Sequence, residues 1–87
     1  MALSIDEKQL LRSVADIIIK NQDNAKHLAP LLESHPIFSI ILEPIIPCIS
    51  NSNSNDYLLN VRAAISLIED IEAKAIFESS YNSKCMN

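Results

Sequence analysis

The sequence predicts an all-α fold: a small single-domain bundle of four helical segments over residues 1–87, with about 4–79 ordered and 80–87 a tail. Three observations lead there. The chain contains no glycine. Tight hairpins and phosphate-cradling loops need positive φ, which glycine supplies at least cost, so a mostly β fold is disfavoured and no P-loop or dinucleotide fingerprint exists. Fourteen isoleucines against four aromatics imply an aliphatic core. Apolar residues recur at helical spacing over two long stretches, and prolines interrupt a third.

The first helix is expected over 4–20. Ser4 to Glu7 spells a capping box, in which Ser4 accepts from the third helical amide and Glu7 reaches back to the Ser4 amide. Behind it Leu10, Leu11, Val14, Ile17 and Ile18 form one stripe, with Lys8, Arg12, Asp16 and Lys20 opposite; Ile19 points away from the stripe. A second, short helix over 24–33 would be capped by Asp23 or Asn24. Pro30 requires that it kink there or be two separate turns.

The third segment, 36–49, starts after a cap at Ser34 or His35, with Pro36 in the first turn, where a missing N–H costs nothing. Ile37, Phe38, Ile40, Ile41 and Leu42 follow. Pro44 and Pro47 would each cost an unbroken helix roughly 3 kcal/mol. The segment is therefore expected to stop near Glu43 and resume briefly to about Ile49. The Ser/Asn run before Asp56 is a loop. The last helix, 56–79, is expected to be continuous and capped by Asn55 or Asp56. Tyr57, Leu58, Val61, Ala64, Ile65, Ile68, Ile71, Ala75 and Ile76 share one face, while Leu59, Leu67 and Phe77 lie on the other. A helix apolar on both sides is either central or presents one side to another molecule.

Charge and composition exclude several functions. A net charge of −4, with seven basic residues scattered and forming no run, argues against nucleic-acid binding. The apolar run from Pro36 falls short of the roughly 20 residues of a membrane span. The N-terminus shows no basic region leading into an apolar one, so no secretory signal is expected. Cys48 and Cys85, far apart in sequence, suit reduced thiols in a cytoplasmic protein.

Candidate chemistry is sparse. His27 and His35 are not at the i, i+4 spacing of helical metal ligands, and with the two cysteines they match no zinc pattern. Cys48 sits among isoleucines and a proline, the setting of an inert buried thiol. No serine lies in a nucleophile elbow. Catalytic, cofactor and metal sites are therefore not expected.

What remains is binding. Glu69, Asp70, Glu72 and Glu78 are candidate partner-facing acids on the last helix, with Glu72 at the rim of its apolar stripe. Leu67 and Phe77 are candidate apolar anchors. In type (short, acidic, helical and without catalytic groups) the chain is similar to bacterial immunity and antitoxin proteins, which block a toxin by masking its surface. That likeness is one of class and rests on no motif. It implies a non-enzymatic module that binds a basic, nuclease-like toxin. The alternative is a homodimeric helical regulator or adaptor that uses the spare apolar face on itself.

Overall fold

The computed structural model describes residues 3–85, with the backbone alone at Cys85. Among the described residues the fold is all-α, without strands. The order is α1 (Ile5–Lys20), α2 (Gln22–Ala25), a 3₁₀ turn (Lys26–Leu28), α3 (Ala29–Ser34), α4 (Pro36–Ile41), α5 (Ile46–Ser50), α6 (Tyr57–Ser66) and α7 (Ile71–Cys85).

The capping box forms as its residues require. Ser4 Oγ accepts the Glu7 amide at 3.1 Å, and Glu7 Oε1 accepts the Ser4 amide at 2.8 Å. Leu11, Val14, Ala15, Ile18 and Ile19 are buried. Ile19 is thus in the core, contrary to the expected stripe, because α1 is covered on more than one side. It packs against both α7 and α2, and Tyr57 Oη donates to the Ile18 carbonyl at 2.7 Å. That carbonyl belongs to the last turn of α1, where no later helical amide can reach it.

The second segment starts at Gln22, with Asn21 rather than Asp23 or Asn24 at the cap position and no side-chain cap bond. Pro30 falls in the first turn of α3, so the 3₁₀ turn absorbs the break before it. The third segment divides at its prolines. α4 ends at Ile41, four turn residues follow, and Pro47 enters the first turn of α5. Ser39 Oγ donates to the Leu32 carbonyl at 2.7 Å, fastening α4 to the end of α3.

The expected continuous helix over 56–79 is two helices. Leu67 and Ile68 donate to carbonyls three residues back (2.9 and 3.1 Å), tightening the end of α6, and Glu69 is not helical. Asp70 then restarts the chain as a helix. Its Oδ1 accepts the Ala73 amide at 2.9 Å, and its carbonyl accepts the Lys74 amide at 2.9 Å. This joint changes which residues face inward. Ala73, Phe77 and Ser80 are buried on α7, while Ile71 and Ala75 are exposed. α7 also runs on to Cys85, where a tail from residue 80 was expected; Met86 and Asn87 lie outside the described residues.

α1 and α7 run parallel. Lys8 meets Glu72 at 2.6 Å, Ser80 Oγ donates to Asp16 at 2.7 Å, and Lys20 donates to Ser83 at 3.2 Å, so contacts advance together along both helices. Parallel neighbours need a long connection, and residues 21–70 provide it as the short helices that close the rest of the core. Phe38, Leu42, Ile45 and Tyr57 from this connection are fully buried.

Candidate functional site

The α6–α7 joint and the proline-broken segment lie side by side and enclose a groove of about 690 Å³. Ile40, Ile41, Glu43, Pro44 and Pro47 form one wall, and Leu67, Glu69 and Asp70 form the other. Each wall exists because a helix fails there. Pro44 and Pro47 have no N–H to donate back along the chain, so α4 cannot continue into α5. The opposite wall is the non-helical stretch that Asp70 terminates by capping α7.

The failures leave apolar groups in water. Ile40 and Leu67 are each 66% exposed, among the most exposed large hydrophobic residues of the molecule. The α1–α7 register sets Ile5 level with Glu69, so Ile5 and Ile71, also exposed, lie toward the same end of the helix pair. The groove carries three carboxylates, and no Lys or Arg lines it. Among the described residues neither Glu43 nor Glu69 has an ion-pair partner. The carboxylates do not gather into a metal site: no group of three or more potential ligands does so among the described residues. The groove is thus negative, rich in acceptors and apolar at the same place.

Of the six residues expected to face a partner, Leu67, Glu69 and Asp70 come together here. The other three do not. Phe77 is fully buried in the core, because the joint turns α7 so that Phe77 faces inward. It therefore cannot serve as a surface anchor. Glu72 is engaged by Lys8 and ties α7 to α1. Glu78 lies in a separate hollow of about 230 Å³ with Arg62, Tyr81 and Asn82. Sequence reasoning missed Ile40, Glu43, Pro44 and Pro47 as site residues. Their signal was the proline break itself, which strands Ile40 and Glu43 at a helix end.

The chain matches no family model, no curated protein and no solved structure. The site must therefore be read from its own chemistry. A third hollow, of about 370 Å³ between α1 and α7, contains Arg12, Asp16, Lys20, Ser79, Ser80 and Ser83. Four of its polar groups serve one another, through Lys20–Asp16 at 3.7 Å and the bonds to Ser80 and Ser83. Cys48 is a free buried thiol in the core, and burial pushes its pKa up, away from the reactive thiolate. Among the described residues no helix is long and apolar enough to cross a membrane.

Proposed function

We propose that the protein is a non-enzymatic binding module of the cytoplasm, and most concretely an immunity-type inhibitor that masks a basic, nuclease-like toxin. One observation carries this reading: the groove that holds exposed Ile40 and Leu67 also holds Glu43 and Glu69 without cationic partners. Apolar groups at the centre of a contact supply the slow off-rate, while unpaired acids around them supply on-rate and discrimination. A basic partner satisfies both. A neutral partner would have to desolvate the carboxylates without compensation, and a nucleic acid would meet like charge.

The test is reconstitution with the product of the gene immediately upstream of this protein's own. The expected result is a one-to-one complex in which that product loses its toxic activity, with an association rate that falls as salt rises. An upstream product that does not bind, or that stays active when bound, overturns the inhibitor reading. A self-associated chain with no such complex favours the homodimeric regulator.

A further inference from the structure

The groove lining contains acceptors and apolar surface but no side-chain cation, and its two prolines bring no N–H. A neutral polar side chain would gain little there, and an acid would be repelled. An aliphatic side chain alone would leave Glu43 and Glu69 facing it unpaired. One side-chain type answers all of these features. Arginine has an apolar stem that can lie along Ile40, Pro44 and Leu67, and a head made only of donors. Its planar fork pairs with carboxylates in two-point fashion and gives up water more readily than an ammonium. The carboxylates come from two separate segments that line one groove, Glu43 from the proline-broken segment and Glu69 with Asp70 from the α6–α7 joint.

We infer that the groove is an arginine receptor, taking one arginine of a basic partner segment between Glu43 and Glu69, with an adjoining large apolar side chain against Ile40 and Leu67. This rests on the protein-binding reading and names the chemistry that reading leaves open. Asp70 contributes charge while its Oδ1 remains on the Ala73 amide, so the receptor does not require α7 to uncap.

The probes are a capped five-residue peptide carrying tryptophan between two arginines and the same peptide with both arginines replaced by citrulline. Citrulline keeps the shape and removes the charge. Each is titrated into the full ¹⁵N-labelled chain. The arginine peptide is expected to move the backbone amide signals of Ile40, Ile41, Glu43, Leu67, Glu69 and Asp70. The citrulline peptide is expected to bind about tenfold more weakly, as for loss of a close charge pair. Glu43→Gln with Glu69→Gln should remove most of that difference, leaving the share due to Asp70, with the remaining spectrum unchanged. Equal affinity for both peptides overturns the inference, as does a response centred on the Arg62 and Glu78 hollow or no response at all. Failure here and failure of the inhibitor reading are separable. If a toxin complex forms and is indifferent to the double glutamine variant, the receptor falls and the inhibitor stands. Peptide binding without any toxin complex means the reverse.

Discussion

Tyr57 ties the start of α6 to the end of α1. It is buried, and its hydroxyl closes the end of α1 by donating to Ile18. Burial, with a smaller contribution from nearby Cys48, raises its pKa from 10.0 to about 12. In the unfolded chain the phenol ionises near its ordinary value, so above pH 10 the folded state holds a proton that the unfolded state has released. The stabilisation from this group is therefore complete below pH 10 and is lost as pH rises toward 12. Cys48, also raised by burial, adds a loss in the same direction beginning above its ordinary 9.0. Denaturation midpoints measured across pH 8 to about 12 should fall steeply for the wild type and less steeply for Tyr57→Phe. At neutral pH that variant should lose about 1–3 kcal/mol, because the Ile18 carbonyl is left buried without a donor. Cys48 offers an independent check. In a Cys85→Ser background its reaction with a thiol reagent should proceed only as fast as the protein opens; rapid native reaction would place the α5 segment on the surface.

At the scale of elements, boundaries set by the chemistry of single residues were legible, and the boundary set by packing was not. The Ser4 capping box was legible because two residue types at fixed spacing each find a backbone amide. The prolines were legible because a missing N–H acts whatever surrounds it. The α6–α7 joint was not. Ser66 to Glu72 contains neither glycine nor proline, and local propensity would carry a helix through it. What breaks it is tertiary: an unbroken helix sets Ile68 and Phe77 on different sides, and burying both requires a change of register between them. Asp70 was the available signal, a capping residue directly before a new apolar run, read instead as a partner-facing acid within a continuous helix. The joint's Leu67, Glu69 and Asp70 were nevertheless marked as partner-facing, whereas Ile40, Glu43, Pro44 and Pro47 were not, because only the folded chain brings the proline-broken segment beside the joint. Asp70→Ala should cost about 1 kcal/mol through loss of the cap, similar to Ser4→Ala. Asp70→Asn, which can still accept the Ala73 amide, should retain most of that stability. If all three variants unfold at the wild-type midpoint, the caps contribute nothing and the joint is held by packing alone.

For the whole molecule, the division between the core and the proposed contact surface determines which experiments can report on binding. The core is one cluster reaching from Leu3 to Phe77, and removing a large member of it threatens a domain of this size. Phe77→Ala should cost about 3–5 kcal/mol, and any loss of binding it causes would only record unfolding. Glu43 and Glu69 lie outside that cluster and hold no ion pair among the described residues. Reversing both to lysine should therefore leave stability within about 0.5 kcal/mol of wild type. The same groove argues against pairing with a second copy through this face. A two-fold contact would bring Glu43, Glu69 and Asp70 against their own symmetry mates, setting like charges together with no cation from the groove between them. Sedimentation at low salt should accordingly find the wild type no larger than the double-lysine variant. With the proposed basic partner present, the variant should associate more slowly and lose most of the salt dependence, at unchanged thermal stability. A wild-type association rate at low salt would leave the acids as solvated surface and remove charge from the mechanism; a wild-type dimer that the double reversal dissolves would make the second copy the groove's true occupant.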